Sequence, residues 1–219
     1  MLTPALPKSY DIISENGWSL ETKKLFIENT LLSTNRKGID KVLDYLEKTD
    51  FYVAPASTIF HSNMKHGLLN HSIITYITAM QYKNSMLEVN PMVGERLSDE
   101  SIAIVALLHD ICKCCFYVET QKWKKDEHGQ WEPYIGYDVN DVFPIGHGEK
   151  SVIMLQNFGL ELTAEEMLAI RYHMGMFGDG GAELRYSQAQ AVRDYPLVPL
   201  LQMADFSASV IFEPTNKVK

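Results

Sequence analysis

The 219-residue chain has few cysteines, an excess of acidic over basic side chains and no long apolar run. The three cysteines fall between Cys112 and Cys115, a spacing that offers neither a disulfide framework nor enough ligands for zinc, so we expect reduced thiols in a reducing compartment. A formal net charge of −8 argues against a general binder of duplex nucleic acid, which needs a basic face. No segment approaches the roughly 18 apolar residues of a membrane span.

The beginning of the chain, Met1 to Pro7, lacks a charged segment followed by an apolar one, so we expect no signal peptide. These observations together predict a cytoplasmic protein whose partners include neither duplex nucleic acid nor a membrane. A local basic pocket for a phosphate remains compatible with the net charge. Apolar residues make up 46% and charged residues 22%, which is typical of a globular chain, and residues 1–219 are predicted to form one domain.

Apolar side chains recur at helical spacing along most of the sequence. Residues 1–17 contain two prolines and predict little regular structure, whereas residues 1–60 as a whole predict a helical lead-in packed on the rest. Residues 98–101 are predicted to supply capping residues for the helix before His109, and Thr163 with Glu166 is a predicted capping box. The other predicted helices begin at Trp18 and then cover Asp40 to Asp50, His66 to Val89, the segment before His109, Glu149 to Phe158, Ala164 to His173 and Tyr195 to Phe212.

Residues 116–137 differ in residue composition from the predicted helical segments. Aromatic and β-branched residues flank a polar turn that contains glycine, which predicts a β-hairpin. A hairpin inserted between helices is either a lid or edge of a pocket or a decoration without a role in the site. The fold class predicted from these patterns is all-α with a small hairpin insertion.

An apolar run, Ile102 to Leu108, leads directly into His109 and Asp110. Neighbouring side chains on a helix point about 100° apart, so this pair could bind one cation only near a helix end or irregularity. A lone buried His-Asp pair is more often a structural hydrogen bond. A metal site therefore requires further ligands from elsewhere in the chain.

Four other residues occupy suitable places. His71 lies on an apolar helix, and Asp205 lies within an apolar helix where an unpaired buried carboxylate would be costly. His147 stands between two glycines at a predicted helix start, and His173 ends a predicted helix. Together with His109 and Asp110 they form a mixed nitrogen and oxygen set that suits Mn, Fe, Co, Ni or Zn. By contrast, His61 and His128 lie in polar stretches and are predicted to be at the surface.

The order His71, His109-Asp110, Asp205 resembles the HD superfamily of metal-dependent phosphohydrolases. The resemblance spans residues 66–212 and depends on three stretches, 67–72, 107–113 and 203–205. It implies an all-α HD-domain bundle in which these four residues bind one metal. It also implies that His147 and His173 occupy places where some members hold a second metal, with Asp110 bridging. The chain has Met174 where some dinuclear members have a second adjacent histidine, and Cys112 where the family often has glycine.

A divalent cation lowers the pKa of bound water and neutralises phosphoryl oxygens. The resemblance therefore implies hydrolysis of a nucleotide or another small phosphoester with one or two ions of Mn, Fe, Co, Ni or Zn, or with Mg, and with Asp110 and Lys113 as catalytic residues. Lys113 would contact the phosphate, although a lysine near a helix C-terminus is equally compatible with an exposed position. His66 and Lys150 are further phosphate candidates. A di-iron oxygenase and a catalytically silent metal- or phosphate-binding regulatory module are the alternatives.

Overall fold

The computed structural model describes residues 6–14, 16–175 and 182–214, which form a mostly helical fold with one two-stranded antiparallel sheet. The prediction of a helical fold with a β-hairpin is confirmed at this level. The elements in chain order are α1 Ser9–Ile13, α2 Leu20–Ser33, α3 Ile39–Lys48, α4 Gly67–Val89, α5 Asp99–Leu108, β1 Tyr117–Lys125, β2 Trp131–Val139, α6 His147–Asn157, α7 Ala164–Arg171, α8 Ala182–Asp194 and α9 Leu197–Ser207.

The core is built around α4, which packs against α5 and α9. Every residue from Gly67 to Thr75 is buried, and so is every residue from Ile102 to Leu108 in α5. A helix that is buried on all sides removes its polar side chains from water, so each of them needs a partner in the fold. Buried polar side chains on these two helices are therefore candidates for a functional site.

Two boundaries differ from the sequence prediction at the ends of the chain. Residues 9–13 of the expected irregular lead-in form α1, because the carboxylate of Asp11 accepts the backbone N–H of Lys8 and Ile12 enters the core. The single helix expected over 195–212 is shorter, since α9 ends at Ser207 and continues as a π-helical turn, Ala208–Phe212. Before it lies α8, to which the sequence analysis assigned no element.

The two strands of the hairpin pair from Tyr117 opposite Val139 to Lys125 opposite Trp131. The hairpin therefore extends two residues beyond the predicted 116–137. Its turn contains Gly129 in the left-handed region, with φ 78°, which glycine adopts without steric cost. At the base, the Tyr117 hydroxyl donates to the carbonyl oxygen of Ala56 at 3.2 Å, which fixes the hairpin to the segment before α4.

Among the described residues, no single helix has both the length and the apolar composition of a membrane span. The helix pair Leu184–Asp194 and Leu197–Phe212, bent by 103°, meets that length and composition test only when the two are taken together.

Candidate metal centre

Five buried side chains from four parts of the core meet at one point. His71 comes from α4, His109 and Asp110 follow the last residue of α5, His173 follows α7, and Asp205 belongs to α9. Among them, His109 and Asp110 lie at a junction where α5 gives way to a 3-10 turn, residues 111–113, and Asp110 leaves helical geometry with φ −106° and ψ 19°. The junction is the helix irregularity that two adjacent ligands require.

The distances between the polar atoms fit coordination of a single cation. His71 Nε2 lies 3.1 Å from His109 Nε2, 3.2 Å from Asp205 Oδ1 and 3.6 Å from Asp110 Oδ2. His173 Nε2 lies 3.6 Å from Asp110 Oδ1, and His109 Nε2 lies 3.9 Å from Asp205 Oδ1. Two ligand atoms that each lie about 2.1 Å from one ion are at most about 4.2 Å apart. These buried histidines and aspartates could therefore hold a metal ion.

In all three histidine rings of this cluster, Nδ1 forms a hydrogen bond to a group outside the cluster. His109 Nδ1 donates to the carbonyl oxygen of Ala106 at 3.0 Å, and His173 Nδ1 donates to that of Ile170 at 2.7 Å. His71 Nδ1 donates to the Glu213 carboxylate at 2.7 Å. A hydrogen on Nδ1 leaves the Nε2 lone pair of a neutral ring free to bind a metal, and such outer partners are usual for metal-binding histidines.

Two buried polar atoms within this cluster have no hydrogen-bond partner among the described residues. They are Asp110 Oδ1 and His173 Nε2. Buried polar groups normally have a hydrogen-bond partner, so two unpartnered atoms that face a common centre indicate a binding site for an electron-pair acceptor. Both atoms are Lewis bases, which is the character that a cation requires.

The ionisation of the cluster also favours a bound positive charge. Burial would lower the pKa of His71, but the carboxylates of Glu213 and Asp205 outweigh it and raise this pKa to about 10. Burial lowers the pKa of His109 to about 4, against the opposing effect of Asp110. Burial would raise the pKa of Asp110, yet Lys113 and the histidines hold it well below its usual range. At neutral pH the ionised carboxylates therefore face a neutral His109 ring and a protonated His71 ring, whose Nε2 proton a bound cation would replace.

Lys113 stands beside the cluster, with its Nζ 2.5 Å from Asp110 Oδ2. The side chain is almost fully buried. Burial would lower the lysine pKa, but the Asp110 carboxylate reverses the effect and raises it. An ammonium group has three hydrogens to donate, so the contact with Asp110 leaves donors for a second anionic group.

A cavity of about 1140 Å³ opens over the cluster. Asp110, Lys113, His173 and Asp205 line it, together with His147 at the first position of α6. Burial lowers the pKa of His147. Among the described residues, His147 does not belong to a group of three or more possible ligand atoms within 4.8 Å of one another, whereas His71, His109, Asp110, His173 and Asp205 do.

The two further phosphate candidates lie apart from this cavity. His66 is the N-cap residue of α4, and the distance from its Nδ1 to the Tyr52 carbonyl oxygen is 2.6 Å. Lys150 is buried, with its Nζ 2.5 Å from Asp141 Oδ1. Neither side chain lines the cavity formed by the described residues.

The prediction that His61 is a surface residue is wrong. Its ring centroid lies 4.7 Å from that of His71, its Nε2 is buried without a partner among the described residues, and it lines the cavity. The polar sequence around it is misleading because the segment folds tightly against the start of α4. A Cβ on Gly67 would lie 1.9 Å from the Ser62 carbonyl oxygen, so only glycine permits this approach. His128, in contrast, is exposed as predicted.

Glu213 is a second residue that the sequence analysis missed. One oxygen of its carboxylate accepts from His71, and the other accepts from the Ser62 hydroxyl at 2.6 Å. His61, His71 and Glu213 form a further group with possible ligand atoms within 4.8 Å. Glu213 follows the π-helical turn after α9, and no local sequence pattern distinguishes it from an exposed acidic residue.

The cysteines are free, as expected, and Cys112 and Cys114 are buried. Burial raises the pKa of the Cys112 thiol to about 12, so this side chain stays protonated and does not compete for the metal.

Comparisons with known proteins identify no relative of this chain. No protein-family model, curated protein or solved structure matches it.

Proposed function

We propose that the protein is an HD-type metal-dependent phosphohydrolase that cleaves a nucleotide or another small phosphoester. The observation that supports it most is the orientation of three buried histidines, whose Nδ1 atoms are all engaged while their Nε2 atoms face the carboxylates of Asp110 and Asp205. The order of these residues in the chain, which resembles the HD superfamily, agrees with this proposal.

In this proposal His71, His109, Asp110 and Asp205 hold the first cation. His147 and His173, together with Asp110, are the residues that would hold a second. When bound, a divalent cation lowers the pKa of water and neutralises charge on phosphoryl oxygens. The hydrogen bonds that His109 and His71 donate to Ala106 and Glu213 fix the ring orientations, so the ligand geometry exists before a metal binds.

Lys113 is the proposed phosphate contact. Of the described residues that line the cavity, it is the only lysine or arginine. Its contact with Asp110 holds the ammonium close to the metal ligands, where a phosphoryl group bound to the same centre would come within reach. The charge that spreads over the phosphoryl oxygens during transfer would then have a second positive neighbour.

The first test is a metal and substrate screen. Chelator-stripped protein is titrated with Mn²⁺, Fe²⁺, Co²⁺, Ni²⁺, Zn²⁺ and Mg²⁺, and phosphate release is measured with nucleotides and sugar phosphates. We expect metal-dependent release of phosphate. Oxygen consumption by the iron-loaded protein without phosphate release would favour the di-iron oxygenase instead. Metal binding without either activity would favour a regulatory module.

The second test is the variant Asp110→Ala, with Asp44→Ala as control. Asp110 faces His71, His109 and His173, so its loss should reduce metal content to background and abolish hydrolysis while the helical circular dichroism stays unchanged. Asp44 pairs with Lys48 on the exposed face of α3, and its loss should change neither quantity. Full metal content in Asp110→Ala by elemental analysis would contradict the assignment.

A further inference from the structure

The walls of the cavity differ sharply in character from its floor. The floor carries the candidate metal-binding cluster and Lys113, whereas most of the described wall residues are apolar. Apart from the histidines, the polar ones among them are Ser57, Thr58, Tyr117, Gln202 and Ser209. Large apolar patches at the mouth of a cavity indicate a ligand with apolar surface. The larger apolar lining side chains are Phe60, Phe116, Val139, Met174, Met203, Phe206 and Val210, of which all but Phe116 are substantially exposed.

The charges around the cavity limit how many phosphoryl groups it accepts. Of the described lining residues, Asp110 and Asp205 contribute two negative charges and Lys113 contributes one positive charge, while the buried Glu213 carboxylate is paired with His71. One divalent cation would bring the net charge of these lining residues to +1, which would offset most of the charge of one phosphomonoester, about −1.5 to −2. A triphosphate chain would place further negative charge in a cavity without another cation from the described wall residues.

The apolar surface continues beyond the cavity. Met203 and Phe206 also line a neighbouring groove of about 550 Å³, on the far side of these two side chains. Met86 and Val89 of α4 and Val93 complete its apolar wall. A ligand anchored at Lys113 by its phosphoryl group therefore has an apolar path along α9.

We propose that the substrate is a phosphomonoester of an apolar alcohol with a single phosphoryl group, an inference that rests on the proposed phosphohydrolase function. In the reaction, the oxygen of water forms a bond to phosphorus and the ester P–O bond breaks. The leaving alkoxide takes a proton that originates from that water, so the products are the alcohol and inorganic phosphate. The alcohol portion contacts Phe60, Phe206 and Val210 at the mouth of the cavity.

The experiment measures phosphate release by the Mn²⁺-loaded protein from matched esters. 1-Naphthyl phosphate and octyl phosphate represent ring and chain alcohols, glucose 6-phosphate represents a polar one, and a nucleoside mono- and triphosphate pair varies phosphoryl number. We expect kcat/KM for the better apolar ester to exceed that for glucose 6-phosphate roughly tenfold or more, as expected from burying an apolar group of this size. The nucleoside triphosphate should have a lower kcat/KM than the nucleoside monophosphate.

Two variants connect this preference to the wall. Phe206→Ala should raise KM for the apolar esters roughly tenfold with little change for glucose 6-phosphate. Phe143→Ala is the matched control, because Phe143 is also exposed but does not line the cavity. Met86→Gln, in the neighbouring groove, distinguishes the chain ester from the ring ester. It should raise KM for octyl phosphate and leave KM for 1-naphthyl phosphate unchanged.

The outcomes distinguish the inference from the function on which it rests. Absence of phosphate release from every ester overturns the proposed function and, with it, the substrate class. Hydrolysis in which glucose 6-phosphate or the triphosphate equals the apolar esters overturns the inference alone. Equal KM values for Phe206→Ala and the parent protein would also overturn it, since the wall would then make no contact with the alcohol.

Discussion

The carboxylate of Glu213 joins two parts of the molecule that lie 142 residues apart in the chain. It accepts the Nδ1 hydrogen of His71 at 2.7 Å, and neither side chain is exposed to solvent. His71 pulls the pKa of Glu213 below its usual range in spite of burial. An ionised partner on Nδ1 increases the electron density at Nε2, the atom that faces the other ligands.

Glu213→Gln tests this role at the scale of a single residue. Glutamine keeps the size of the side chain and can still accept from His71, but it removes the negative charge. We expect the metal affinity to fall about 10- to 100-fold, as is usual when an outer partner of a metal-binding histidine is replaced. Competition with a chromophoric chelator measures the change without reference to any substrate.

Glu161→Gln is the control, because Glu161 forms an exposed ion pair with Lys37 and is remote from the cluster. Its metal affinity should equal that of the parent protein. If Glu213→Gln also binds metal as tightly as the parent, the carboxylate has no influence on the centre. Thermal melts of the metal-free variants establish that both are folded.

Sequence periodicity predicts where α5 begins and ends, but not which distant segments pack against the residues that follow it. The predicted capping within residues 98–101, where the N-cap is Ser98, and at Thr163 is confirmed together with the helices that follow, because capping and apolar spacing are local properties. The break at Asp110 follows from the need of two adjacent ligands to face one point. The approach of His61 to His71 was not predictable, because it depends on packing of the 57–62 segment against the start of α4.

The hairpin divides into a base that lines the cavity and a tip that does not. Tyr117 and Val139, its first and last paired residues, belong to the cavity wall. The turn between Lys125 and Trp131 is held by its own hydrogen bonds, in which Asp126 accepts from the backbone of His128 and Gln130. Of the two roles open from the sequence, the base fits the edge of a pocket.

Replacing residues 126–130 with Asn-Gly tests whether the tip of the hairpin contacts the substrate. Asn-Gly favours the two-residue turn that joins paired strands, so the register at the base should be preserved. KM for any substrate that the protein hydrolyses should stay within about twofold of the parent value, which corresponds to less than about 0.5 kcal/mol. Val139→Asp, which places a charge in the apolar wall, should raise KM instead, and steady-state kinetics compare the two.

A changed KM in the shortened hairpin with a normal value in Val139→Asp would reverse these assignments. It would mean that the tip reaches the substrate and that the base does not.

At the scale of the whole molecule, metal binding should stabilise the fold, because the ligands come from α4, the end of α5 and α9. A ligand that binds only the folded state at 100 times its Kd adds about 2.7 kcal/mol to the free energy of unfolding. For a chain of this size that corresponds to a rise in Tm of about 5–10 °C. Differential scanning calorimetry with and without Mn²⁺ measures it.

Asp110→Ala should show no such rise at the same Mn²⁺ concentration. A rise equal to that of the parent protein would indicate that the ion stabilises the chain from another site.

The sequence was sufficient for the candidate ligands on helices or at helix ends and insufficient for their neighbours His61 and Glu213, which are held by irregular chain. His71 and Asp205 were predictable because a polar residue on an apolar helix is conspicuous, and the structure brings both to His109. Glu213 follows a π-helical turn, and its position depends on a long-range contact in which the Ser62 N–H donates to the carbonyl oxygen of Pro214. A contact between residues so distant in sequence leaves no periodic signal.

That contact has a consequence for the order of events during biosynthesis. A ribosome makes the chain from its N-terminus, so His71, His109 and Asp110 emerge long before Asp205 and Glu213. A nascent chain that stops before Asp205 lacks a carboxylate of the cluster, and one that stops before Glu213 leaves His71 without its outer partner. The complete cluster therefore forms only after the chain has been made through Glu213, and we expect prematurely terminated chains to retain no metal ion.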